Sequence, residues 1–258
     1  FQAFCNFVID IPVETIYARQ KNENFKTSLP RPQDIEDVYS AIARQGYTHV
    51  IVLMIAECLS SANNLMRLAA EEHPELTVKV FDSKSASIGL GALAVQVARY
   101  AVRGVAFDPL CELTKRLIDD TVVYFSLDTL EYLQRGGRIG RATALAGGLL
   151  QIKPILTFDR KDGMISTAAK VRGRRGVQQR LIELATELAA KHPGEEYNLV
   201  VCDGNVPEEG AALEAALTRA LPNAHRVLHG KIDATLAVHL GPNLLGVGVQ
   251  FLNSKLPA

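Results

Sequence analysis

The chain has 258 residues, a hydrophobic content of 48% and a formal net charge of zero from 28 basic and 28 acidic residues. It is long and apolar enough for two domains around large cores. The balanced charge, the absence of Trp and the scarcity of Phe and Tyr argue against nucleic-acid binding, and no apolar run reaches the ~18 residues of a transmembrane segment.

Ile35, Val38, Tyr39 and Ile42 recur at helical spacing behind a capping candidate, Asp34. Thr48 to Ile55 is a continuous apolar run of strand length, as expected of a strand buried on both faces. A helix from about Ser61 to Glu72, a strand from Thr77 to Phe81, a helix from about Ser87 to Arg103 and another from Pro109 to Ile118 follow. This alternation predicts a parallel sheet.

The strand Val122 to Leu127 then leads to a short helix stopped by Gly136-Gly137. Ile152 to Phe158, the turn Asp162-Gly163 and Ile165 to Val171 predict a hairpin. A long helix from Val177 to Lys191 precedes the strand Tyr197 to Cys202 and a helix near Pro207 to Ala220. Strands are expected near Ala224 to Leu228, Thr235 to His239 and Leu245 to Phe251. Two α/β domains joined near Asp119 are predicted.

Hydroxyls placed after strands are the first functional signal, because open α/β sheets bind ligands beyond their strand ends, where helix N-termini present unpaired amides. Ser60-Ser61 and Asp82-Ser83 occupy such places, and Thr27-Ser28 precede the turn Pro30-Arg31-Pro32. Each is equally readable as a helix cap or turn former. Together they suit a carboxylate held without a buried ion pair. Glu57 to Ser61 lacks the glycines of a phosphate loop, which disfavours a nucleotide cofactor.

Gly136-Gly137-Arg138-Ile139-Gly140-Arg141 reads either as a helix stop or, with Arg135, Arg138 and Arg141 around it, as an anion-binding turn. Lys170 to Arg175 holds four positive charges in six residues, a solvated turn or a place for a phosphate or an acidic partner. Arg172 and Arg174 alternate, which suggests projection to one side. His239 is expected at a strand end beside Gly241-Pro242, able to donate a hydrogen bond to a carboxylate or acyl phosphate. No histidine spacing indicates a metal. Cys5, Cys58, Cys111 and Cys202 are too scattered for a zinc site or a disulfide framework and are read as reduced.

These segments, in this order, resemble the DegV family of bacterial fatty-acid-binding proteins. Asp128 to Gly140, running on to Gln151-Ile152-Lys153-Pro154-Ile155-Leu156, is similar to the family signature. Thr27-Ser28-Leu29-Pro30 resembles its Thr-Ser-x-Pro motif, Leu59 to Asn64 its Leu-Ser-Gly-Thr-Tyr-Gln segment, and Phe81 to Gly89 its Asp-Ser-x-x-x-Ser-x-Gly segment. Lys170 to Arg175 resembles a Lys-x-Arg stretch, and His239 with Gly241-Pro242 the closing turn. The likeness covers the chain from about Asp10 to its end.

The resemblance implies a parallel-sheet, Rossmann-like first domain over residues 1–118 and a mixed α/β second domain over 119–258, with the ligand between them. It implies a non-catalytic carrier that binds a long-chain fatty acid and presents the carboxylate to a separate fatty acid kinase, with transient membrane contact and no cofactor; composition makes a cytoplasmic location the default expectation. The carboxylate falls to Thr27, Ser28, Ser60 and His239, and the acyl phosphate or the kinase surface to Arg172. Three departures stand out. Nothing before Thr27 matches the family's Asp-Ser-Thr-x-Asp-Leu-Pro motif, so a first strand is expected to be missing, Asp10-Ile11 matching the start of the helix before the Thr-Ser pair. Ser61-Ala62-Asn63 replaces Gly-Thr-Tyr, and Leu240 replaces a frequent hydroxyl. The other readings are an enzyme acting on a small phosphorylated substrate through the Gly136 to Arg141 turn and Arg172, and a nucleic-acid or regulatory protein module using Lys170 to Arg175.

Overall fold

The computed structural model describes residues 11–145 and 152–252; Cys5, Asp10 and Gln151 lie outside them. Helices α1 (Val13–Arg19) and α2 (Pro32–Arg44) come first, then β1 (His49–Met54), α3 (Ala62–Glu71), β2 (Thr77–Asp82), α4 (Ser87–Val102) and α5 (Phe107–Asp119). The second half runs β3 (Thr121–Ser126), α6 (Glu131–Arg135), a 3-10 helix (Gly140–Leu145), β4 (Ile152–Phe158), β5 (Ile165–Arg172), α7 (Gly173–Ala190) and β6 (Tyr197–Gly204). It ends with α8 (Pro207–Ala220), β7 (Arg226–Lys231), α9 (Ala234–Leu240) and β8 (Leu244–Phe251).

The architecture is α/β with two sheets, in a two-domain layout. β1 and β2 form a small parallel sheet; the larger sheet is mixed, ordered β5-β4-β3-β8-β6-β7, with β6 and β7 its parallel pair. The expected hairpin is present: Asp159 donates its N–H to Met164 O at 2.8 Å, and Gly163 takes φ +71° in the turn. β6 and β8 are buried along their whole length. β1 is not: His49 is exposed and the rest of the strand is half-buried, because among the described residues its sheet has only two strands.

Alternation on β8 divides the larger core. Leu245, Val247, Val249 and Phe251 pack under α7 and α8, whereas Leu244 joins Val123, Phe125 and Cys202 on the other face, which α4 covers. α4 is apolar on two sides for a reason. Ile88 and Ala92 pack towards the large sheet, while Leu93, Val97 and Tyr100 pack on α5 and on Ile51 and Leu53 of β1. α1, although first in sequence, packs on α9, burying Ile16.

Three local expectations are corrected. The run Thr235 to His239 is helix α9, not a strand: Asp233 accepts the Leu236 N–H at 2.8 Å and caps it, and a five-residue apolar run does not carry its period. Asp34 does not cap α2, which Pro32 opens; it sits in the first turn and pairs with Arg31 at 2.6 Å. β5 also turns directly into α7 at Gly173, φ +72°, so Arg172 ends a strand while Arg174 lies on a helix, and simple alternation does not relate them.

Candidate functional site

Between α4, the large sheet and the Thr27 to Leu29 segment lies a cavity of about 380 Å³, within the ~300–1,000 Å³ range of small-molecule sites. Its lining is mainly apolar. Val123, Phe125, Cys202 and Leu244 come from the large sheet, Phe158 and Ile165 from the hairpin, and Ile88 from α4. Leu133 of α6 and Leu236 and Leu240 of α9 close another side.

Two polar side chains of the lining meet directly. Thr27 Oγ1 and His239 Nε2 are 2.8 Å apart, joining residues distant in sequence because α1 docks on α9 and carries the following segment across the cavity. Arg138 donates from Nε to Leu59 O at 3.1 Å and from Nη1 to Gly136 O at 2.7 Å, tying the α6 turn to the loop after β1. Ser60 follows Leu59 and its Oγ accepts the Ala62 N–H at 3.3 Å, so it contributes to the start of α3 as well as to the cavity wall.

The surroundings of His239 disfavour its charged form. Burial lowers its pKa, and the positive charge of Arg138 lowers it further. Its Nδ1 is buried without a hydrogen-bond partner among the described residues. With the proton on Nε2, the ring donates to Thr27 Oγ1 and leaves the threonine hydroxyl proton free to point at an anionic oxygen.

The double glycine has a second use beside ending α6. Gly137 takes φ +69° after the helix, whereas Gly136 has an ordinary φ of -78°. A Cβ on Gly136 would lie 2.2 Å from His239 Nδ1. Its missing side chain is the space in which the imidazole sits. Gly241 plays the matching part behind α9, where a Cβ would stand 2.4 Å from the Tyr132 ring.

Thr27, Ser28, Ser60 and His239, singled out in sequence, therefore line one cavity; Arg172 does not line it and is exposed at the end of β5. Asp82 and Ser83 are also absent from it. Asp82 accepts the Lys84 N–H at 2.8 Å, and Ser83 Oγ donates to Ser85 O at 3.1 Å, so both organise their own turn. The arginines around the α6 turn do not converge: Arg135 pairs with Glu131, and Arg141 with Asp162 at 2.5 Å and Asp159 at 3.2 Å. In the basic run, Arg174 bonds Glu209 at 2.8 Å and Asn243 O at 2.6 Å, bracing the loop between α9 and β8.

A family model described as "Uncharacterised protein, DegV family" matches residues 6–252. The chain belongs to the DegV family. A DegV domain-containing protein of Clostridium perfringens is 33% identical over 245 residues, covering 95% of this chain and 85% of the relative. A DegV family protein from Thermus thermophilus, described as binding fatty acid, superposes with a TM-score of 0.85 at 30% identity, covering 94% of this chain and 85% of that one. DegV of Bacillus subtilis, described as a fatty acid binding protein, gives 0.83 at 27% identity, with 95% and 86% covered. A stearic acid-binding protein of Eubacterium ventriosum gives 0.85 at 26%, with 95% and 85% covered.

Two parts of the site escaped the sequence reading. Arg138 was assigned to a competing anion-binding turn, yet it faces the cavity beside His239; its place after the double glycine was the available signal. Cys202, read in the sequence only as a reduced cysteine, lines the cavity, which its position near the end of β6 made findable.

Proposed function

We propose that this protein holds one long-chain fatty acid in the cavity between an N-terminal unit, residues 1–118, and a C-terminal unit, 119–258. It presents the carboxylate to a separate cytoplasmic fatty acid kinase, carries the acyl phosphate, and catalyses nothing itself. The observation that carries this reading is a largely apolar cavity whose lining includes the hydrogen-bonded Thr27–His239 pair, with Arg138 acting on the histidine. Family members described as fatty-acid-binding support it.

The forces divide accordingly. Each buried methylene contributes about 0.8 kcal/mol, so the chain provides most of the affinity and the polar cluster fixes orientation. Thr27, Ser28 and Ser60 offer hydroxyls, and His239 orients Thr27. Hydroxyls alone would leave an ionised head uncompensated; Arg138 supplies the charge that the sequence reading assigned to none of the four. Arg172, outside the cavity, fits a contact with the kinase or its phosphate, and transient contact with a membrane would deliver the acid.

Native mass spectrometry with lipid extraction tests the reading. A mass excess matching one long-chain fatty acid, released on unfolding, is expected. Thr27→Val and His239→Ala are expected to remain folded and to lose about tenfold or more in affinity, the scale of one hydrogen bond to a charged group. Purified kinase should phosphorylate the bound acid in the parent protein and not in these variants. A protein that neither carries nor takes up fatty acid would sink the proposal.

A further inference from the structure

Part of the buried cavity lining stands on the centre of the large sheet, where the central strand is bare. On β8 the residues alternating with the Leu245, Val247 and Val249 core positions are Leu244, Gly246 and Gly248. Glycine inside a strand weakens pairing and leaves nothing to pack, so two in a fully buried central strand need a use for the space. Gly246 pairs with Phe125 on one side and Cys202 on the other; Gly248 pairs with Val123 and Val200. A Cβ on Gly246 would lie 2.9 Å from Cys202 Sγ, and one on Gly248 would lie 2.9 Å from Val123 Cγ1. The thiol and the valine thus lean over the backbone of β8.

Cys202 and Val123 both line the cavity and are 2% and 4% exposed, whereas Ser28 and Arg138 at the polar cluster are exposed. We propose that Cys202 and Val123, leaning across Gly246 and Gly248, form the floor on which the methyl end of the acyl chain stops, so that these residues set the longest chain accepted. This rests on the acyl-carrier reading. The thiol suits the place: burial raises its pKa, and a neutral Cys behaves as a small hydrophobe.

The test offers delipidated protein an equimolar mixture of saturated fatty acids from lauric to arachidic and reads the bound distribution by native mass spectrometry. Cys202→Ala deepens the floor and is expected to shift binding to longer chains. Cys202→Met and Gly246→Ala raise the floor, one directly and one by pushing the thiol aside, and are expected to shift binding to shorter chains. Affinity should fall about fourfold per methylene left unburied. Should Gly246→Ala fail to fold, the Cys202 pair decides. If both Cys202 variants are folded and loaded yet keep the parent distribution, the floor assignment is overturned. If the unmutated protein takes up none of the acids, the carrier reading fails and the floor with it, a result visible before any variant is made.

Discussion

Two histidines in this molecule sit in opposite environments. His229, on edge strand β7, lies between two carboxylates, with Glu214 Oε2 2.5 Å from Nδ1 and Asp203 Oδ2 3.2 Å from Nε2. Its pKa is raised, chiefly by the hydrogen bond to Glu214. His239, at the cavity, has a single hydroxyl partner, an arginine nearby and a pKa lowered by burial. The first ring is saturated and works as a clamp from α8 to the sheet. The second retains an unpartnered nitrogen among the described residues and a threonine partner beside a cavity, an arrangement that costs stability and that the proposed carboxylate ligand would use.

Gly136 offers the strongest way to break this contrast. Gly136→Ala places a methyl group where His239 Nδ1 sits, and the overpacking is expected to cost about 1–3 kcal/mol in thermal or denaturant unfolding, together with loss of fatty-acid binding. Since φ at this position is ordinary, most of the cost that Gly136→Ala adds should disappear when residue 239 is already Ala, leaving only the tight approach to Tyr132 O at 3.2 Å. A cycle in which the two changes add would show that the imidazole is not the obstacle. Arg138→Gln is a milder perturbation, because the guanidinium is exposed and screened by salt. A several-fold loss of carboxylate affinity is expected at low salt, shrinking as salt is added. Equal affinity at every salt concentration would remove Arg138 from the head-group site.

Much of this contrast was legible in the sequence, though unevenly. The β-α alternation, the hairpin and the Thr27, Ser28, Ser60 and His239 set all followed from periodicity, turn residues and the family resemblance, and the structure brings the four together. Element type failed at α9, where a short apolar run fits either period and the Asp233 cap is the signal that decides it. Gly136 read as a helix stop because its other role lies in a contact with a residue about a hundred positions away, which local pattern does not encode. For the same reason the bare centre of β8 was invisible: Gly246 and Gly248 gain meaning only once pairing places Cys202 and Val123 beside them. The half-buried face of β1 likewise depends on how many strands flank it, and its apolar run does not reveal that number.

The smallest effect, and the one that sharpens the comparison most directly, is the dependence of stability on pH. An unfolded histidine titrates near about 6.5. The folded pKa of His229 lies above that value, so its clamp contributes fully below about 6.5 and is lost as pH rises through the folded pKa, where the folded state alone still holds the proton. His73, within 3.0 Å of the Glu36 and Glu75 carboxylates, adds in the same direction. His239 has the opposite sign. Its folded pKa lies below the ordinary value, so as pH falls below about 6.5 the unfolded chain takes up a proton that the folded site, facing Arg138 and Thr27, disfavours. His229→Gln should therefore flatten the alkaline decline in unfolding free energy, leaving the share of His73, while His239→Gln should flatten part of the acidic decline and leave the alkaline side as it was. Profiles in which the two variants change the same limb would contradict the assignment of one ring as a charged clamp and the other as a neutral ligand-facing base.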